Sequence, residues 1–285
     1  MENNWINQEL YPFKSHFFEL PSGGKMHYVD EGEGEVILFV HGTPTWSFLY
    51  REFIKALSTN YRCIAIDHLG FGLSDKSPSF NGNVEAHVQH LSTLIQKLDL
   101  KEVTLVVHDF GGPIGLGAAL QDPTRIKRIV AFNTWLWETA SNPAVRKVGK
   151  LLDSWLGKWM YLRLNFSPKV LLKQAFKNKS KLPGFVHQQY ILPFPDKDSR
   201  WGLLNIGKQL LGASDWYELQ KEALPRLKHI PWLFIWGTDD PFITPSFLDR
   251  WKELIPHAEV VELPVGHFVQ EEAVEEAIDA VKKFL

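Results

Sequence analysis

The sequence predicts an α/β domain built on a mostly parallel sheet of about eight strands and interrupted by a helical insertion. Three observations predict it. Short β-rich apolar runs alternate with helical patterns, the alternation stops after Phe132 and resumes at Trp232, and the stretch between holds helix-like patterns with no convincing buried strand. Alternation of this kind builds βαβ units, whose strands are covered on both faces and so read as unbroken apolar runs.

In chain order, strands are expected at 17–20, 25–29, 36–40, 63–66, 103–107, 126–132, 232–236 and 260–263. Each is a short run rich in β-branched and aromatic residues. Helical periodicity follows at 48–57, 84–98 and 112–120, each between two strand runs. Residues 134–225 are rich in Leu, Lys and Trp and punctuated by Pro168, Pro183, Pro193 and Pro195. We read them as a helical cap over the carboxyl edge of the sheet, where α/β proteins bind ligands. The core domain then comprises residues 1–133 and 226–285.

At 285 residues the chain is long enough to bury roughly 75% of its unfolded surface. With 45% hydrophobic and 22% charged residues it has ordinary globular composition, not that of a disordered chain. A formal charge of −2, with acids and bases interspersed, offers no basic stripe for a phosphate backbone, so no nucleic-acid partner is expected. Cys63, the one cysteine, cannot form an internal disulfide and reads as a small core residue. No apolar h-region opens the chain and no stretch approaches the ~20 apolar residues of a membrane helix. The expectation is a cytoplasmic protein, monomer or homodimer, with no membrane partner. Eleven Trp is a large number for this length. Some fill core, and some are candidates to line a ligand cavity.

Five strings sit where strands end. Val106-Val107-His108-Asp109-Phe110-Gly111-Gly112 joins a strand to a helix through a tight turn that lifts its apex, Asp109, out of the sheet. A carboxylate there can attack carbon and leave an ester that water must hydrolyse, although Asp also caps helices. His41-Gly42-Thr43-Pro44 follows the third strand, in the place of the loop that supplies one oxyanion donor, here the Thr43 amide; the other is the Phe110 amide. Trp236-Gly237-Thr238-Asp239-Asp240-Pro241 brings acids to the same edge, Asp240 having the preferred spacing to orient a base. Pro264-Val265-Gly266-His267-Phe268 follows the last strand and carries the base. The order Asp109, Asp240, His267 is that of a nucleophile, acid and base triad. Asp67 and Asp75, in Asp67-His68-Leu69-Gly70-Phe71-Gly72-Leu73-Ser74-Asp75, read as structural acceptors in a glycine-rich loop.

On the strings HGTPTWSFLYR, DHLGFGLSD, VVHDFGGPIG, WGTDDPF and GHFVQEEA, the chain resembles the haloalkane dehalogenase branch of the α/β-hydrolases over almost its whole length. The resemblance implies an α/β-hydrolase fold and SN2 attack by Asp109 on a halogen-bearing carbon of a small apolar substrate. Hydrolysis of the alkyl ester by water activated at His267 would follow, with neither cofactor nor metal. The chain departs from that family at two halide donors: Phe110 stands where a Trp usually follows the nucleophile, and Thr43 where an Asn is usual. Donation to halide then falls to Thr43 or to one of Trp135, Trp137, Trp155, Trp159, Trp201 and Trp216. The same triad also serves epoxide hydrolysis, for which Tyr161, Tyr190 and Tyr217 are candidate proton donors. A catalytically silent small-ligand receptor is the non-enzymatic alternative.

Overall fold

A computed structural model describes residues 5–285. Eight strands form one sheet: β1 (His16–Glu19), β2 (Lys25–Glu31), β3 (Glu35–Val40), β4 (Tyr61–Ile66), β5 (Val103–His108), β6 (Ile126–Phe132), β7 (Trp232–Gly237) and β8 (Glu259–Leu263), in the order β1-β2-β4-β3-β5-β6-β7-β8. β1 and β2 are antiparallel to their neighbours and every later pairing is parallel. All eight expected strands are present; 126–132 matches at both ends, the first is shifted back by one residue, and the other six are extended by one or two residues at one end.

Period-two alternation explains how one sheet serves two helical layers. Val36, Leu38 and Val40 of β3 join one core while Ile37 and Phe39 join the other, and β7 repeats this with Trp232, Phe234 and Trp236 against Leu233 and Ile235. Helices α1 (Arg51–Leu57), α2 (Val84–Lys97) and α3 (Gly111–Gln121) follow β3, β4 and β5. Phe53 and Ile54 of α1 pack on the face opposite Val84, Val88 and Leu91 of α2 and Ile114 of α3. The expected first helix begins as a 3-10 turn, Ser47–Tyr50, before α1. Asn83 caps α2 by accepting from the Ala86 amide, a bond worth about 1 kcal/mol.

Between β6 and β7 the chain forms α4 (Pro143–Asp153), α5 (Trp155–Leu164), α6 (Leu172–Ala175), α7 (Gly184–Ile191), α8 (Trp201–Gly212) and α9 (Ser214–Ala223), then returns with α10 (Pro245–Leu254), α11 (Val269–Glu272) and α12 (Val274–Phe284) after β7 and β8. Among the described residues no helix is long and apolar enough to cross a membrane. Because β3 lies between β4 and β5, the sheet reverses its winding at β3/β5, and the carboxyl ends of those two strands carry the His41 loop and Asp109. Such a switch point leaves a crevice, and residues of α4, α5 and α8 line it.

Candidate active site

Asp109 stands at the apex of the β5–α3 turn with φ +52°. A left-handed backbone at a non-glycine residue costs on the order of 1–3 kcal/mol, so the surroundings must hold it there. Its amide donates to Asn133 O at 3.0 Å, and its carbonyl accepts from the Gly112 amide at 2.9 Å and the Thr134 hydroxyl at 2.6 Å. A Cβ on Gly112 would collide with Thr134, and one on Gly42 with the Asp109 carboxylate, so glycine is a steric requirement at both positions.

The Asp109 carboxylate accepts from the Thr43 amide at 2.8 Å through Oδ1, while Oδ2 lies 3.7 Å from His267 Nε2. That second separation is longer than a hydrogen bond, leaving Oδ2 free toward the cavity. His267 Nδ1 faces Asp240 Oδ2 at 2.6 Å, which assigns the proton to Nδ1 and the lone pair to Nε2. Asp240 is held in turn by the Phe242 and Ile243 amides at 2.8 and 3.1 Å, and its Oδ2 accepts from Asn133 at 2.9 Å. Asp239, its neighbour, pairs with Lys177 at 2.9 Å on the surface.

Three acids and bases therefore share one buried crevice, each shifted. Burial raises Asp109 above the ordinary carboxylate range, against the opposing pull of His267 and the Phe110 and Thr43 amides. Burial also raises Asp240, but His267 and its hydrogen bond, with the two amides, outweigh that and leave it lowered. Burial lowers His267, yet the charges of Asp240 and Asp109 prevail and raise it. An ionised carboxylate beside a base of raised pKa suits nucleophilic attack followed by general-base hydrolysis.

The crevice opens into an apolar cavity of about 360 Å³. At its floor lie Thr43, Asp109, Phe110 and His267, and farther out residues of α4, α5 and α8. Two buried donors on its wall lack a partner among the described residues: Trp135 Nε1 and Thr43 Oγ1. Trp135 packs edge-on against Phe110 with ring centroids 4.9 Å apart, so its indole sits beside the residue that follows the nucleophile. The other sequence candidates lie elsewhere. Trp137 packs against Phe247 and edge-on against Trp251, Trp201 and Trp216 pack against the core, and Trp155 and Trp159 are solvent-exposed. Of the tyrosines only Tyr161 lines the cavity, its hydroxyl pushed up to about 12 by burial. Tyr190 bonds Glu271 and Tyr217 donates to Gln209 O.

Asp67 accepts from the Ser47 and Leu73 amides and pairs with His27 at 2.8 Å, and Asp75 accepts from the Lys25 amide, so both are structural. Cys63 is buried in β4, its thiol pushed up to about 12 by burial. Asn133 and Glu272 went unread in the sequence. Asn133 ends β6 and bonds Asp240; Glu272 accepts from the Gly266 and Asn178 amides at 2.8 and 2.7 Å, tying the His267 loop to the insertion. A polar residue ending a buried strand, and an acid five residues after His267, were the available signals.

The profile of the alpha/beta hydrolase fold family matches residues 35–274. A cis-3-alkyl-4-alkyloxetan-2-one decarboxylase of Shewanella oneidensis is 34% identical over 286 residues, covering 97% of this chain and 89% of that protein. Haloalkane dehalogenase 2 of Mycobacterium tuberculosis is 35% identical over 268 residues, covering 93% and 92%. The crystal structure of haloalkane dehalogenase DatA from Agrobacterium tumefaciens superposes with a TM-score of 0.87 at 26% identity, covering 98% of each chain.

Proposed function

Since the chain belongs to the alpha/beta hydrolase fold family, in its haloalkane dehalogenase-like branch, we propose that it cleaves a carbon–heteroatom bond of a small apolar substrate through an ester on Asp109, carbon–halogen bonds first among them. The single observation that carries this reading is the juxtaposition of the Asp109 carboxylate, the His267–Asp240 pair and two unpartnered donors in one apolar cavity. In the first step an Asp109 oxygen displaces halide from carbon, forming the alkyl ester. As halide leaves, Trp135 Nε1 and the Thr43 hydroxyl donate to it, replacing the indole that Phe110 lacks. In the second step His267 Nε2 takes a proton from water, whose oxygen adds to the Asp109 carbonyl carbon. The oxyanion meets the Thr43 and Phe110 amides, and collapse frees the alcohol. Asp240 holds the imidazole tautomer and stabilises the imidazolium, as in other triads. Helices 143–223 serve as the cap that keeps bulk water from the ester.

The decarboxylase relative and the missing indole favour a second reading on the same residues. Attack of Asp109 on the oxygen-bearing ring carbon of a β-lactone would free the ring carboxylate; loss of CO2 would then form the alkene as Asp109 departs. Epoxide opening retains one candidate donor, Tyr161.

The test is a panel of bromoalkanes, a cis-dialkyl β-lactone and terminal epoxides, with Asp109→Asn as blank. Bromide release abolished by that substitution supports carbon–halogen cleavage. Alkene with CO2, or diol, without bromide would replace it by the corresponding reading.

A further inference from the structure

The helical insertion concentrates the cations of the chain. Residues 139–195 contain ten Lys and Arg and one acid, Asp153, so the remaining positions hold 21 basic against 32 acidic residues. The one acid pairs with Lys208 at 2.8 Å, outside the segment. All ten cations are exposed. Arg146 donates to the Ala140 and Ser141 carbonyls and Lys177 pairs with Asp239; Lys147, Lys150, Lys158 and Arg163 have no acidic partner among the described residues.

Apolar groups are exposed on the same two helices. Trp155 is 78% and Trp159 47% exposed, and Val148, Leu151 and Leu156 stand out of α4 and α5 beside them. Trp155, Lys158 and Trp159 fall at i, i+3 and i+4, one face of α5, and Val148 and Leu151 are i, i+3 on α4. The helices pack together where Gly157 meets the Leu151 and Leu152 backbone. Val148 and Leu151 also line the active-site cavity, so its mouth opens on this face.

We propose that α4 and α5 dock the protein on an anionic lipid surface, with Trp155 and Trp159 at the headgroup level and the cavity mouth facing the acyl region. Exposed indoles belong at such an interface, and the unpaired cations match its negative charge while the acidic body is repelled. Among the described residues no helix is long and apolar enough to span the bilayer. The expectation of no membrane partner rested on the want of a spanning helix, and the even charge distribution read from the whole chain concealed this asymmetry. Delivery of apolar substrate through that mouth rests on the proposed function; docking itself does not.

The experiment is co-sedimentation of the full chain with phosphatidylcholine vesicles, with or without about 30% phosphatidylglycerol. Substrate is absent, so a failure here leaves the catalytic reading untouched. Binding is expected only with the anionic lipid, with a blue shift of Trp emission, and is expected to be lost in about 0.5 M salt. Lys147→Glu/Lys150→Glu/Lys158→Glu should weaken it at least about a hundredfold, and Trp155→Ser/Trp159→Ser should remove most of the blue shift. Native near-UV circular dichroism in both variants shows that they fold. No sedimentation above phosphatidylcholine alone would overturn the proposal. So would a concentration-dependent dimer dispersed by Trp155→Ser/Trp159→Ser, which would assign the face to a second copy of the chain.

Discussion

Trp135→Phe removes one N–H and little else. The indole packs edge-on against Phe110 at 4.9 Å, and its Nε1 has no partner to strand. A phenyl ring keeps most of that contact, and deleting an unsatisfied donor offsets part of the small void, so stability should change by no more than about 1–2 kcal/mol. Turnover should change far more. A donor aimed at charge that develops in the transition state is worth about 10²–10³ in rate, some 2.7–4 kcal/mol, and Thr43 Oγ1 remains to hold part of the charge, which sets the lower end as the expectation. Steady-state bromide release mixes alkylation with halide escape, so the alkylation burst should be followed by stopped flow with a bromoalkane. Thr43→Val should cost less alone, and the double variant more than the product of the two singles, because each donor covers part of the other's loss on one leaving group. A burst rate for Trp135→Phe within twofold of wild type would refute the assignment of that indole to the leaving group.

Asp109→Asn should abolish turnover while leaving the urea midpoint near wild type, since amide and carboxylate are isosteric and burial already penalises the charge. The two steps should differ in pH dependence, measured separately by burst and single-turnover kinetics. Alkylation needs ionised Asp109 and should fail on its acid side at a value above the ordinary carboxylate range; hydrolysis needs neutral His267, whose raised pKa should fall once esterification removes the Asp109 charge. Acid should unfold the protein early. Burial lowers His41, His68, His87 and His108, so below about pH 6.5 the unfolded chain binds more protons than the native one, and stability falls by up to about 1.4 kcal/mol per pH unit per histidine. His267, whose pKa is raised, has the opposite sign and stabilises most below about pH 6.5. Circular dichroism against pH checks this, and a native signal persisting to pH 3 would contradict it. Glu271→Ala strands the buried Arg51 guanidinium, now bonded at 2.5 and 2.8 Å, and should cost about 3–5 kcal/mol by urea unfolding.

The sheet was legible because its strands are buried on both faces, so an unbroken apolar run such as 36–40 has only one structural use. That Asp109, Asp240 and His267 come together was legible because each lies in the loop after a strand, where chain order and sheet order together fix position. That Trp135, of the six candidates, lines the cavity was not. Which of six tryptophans points inward depends on how side chains pack where β6 leaves the sheet, and no periodicity encodes that. Tyr190 and Tyr217 failed as donors for the same reason, their hydroxyls being spent on Glu271 and the Gln209 carbonyl. Asn133 and Glu272 act through residues distant in sequence, Asp240 and Asn178, a relation that only the folded chain displays.

The ester on Asp109 is tested by the intact mass of His267→Ala after exposure to a bromoalkane that the wild type turns over. Without its base the second step should stall and leave an added alkyl group, mapped by peptide analysis to Asp109 and absent in Asp109→Asn. Turnover that disappears with no adduct, or an adduct on any other residue, would contradict a covalent ester on Asp109.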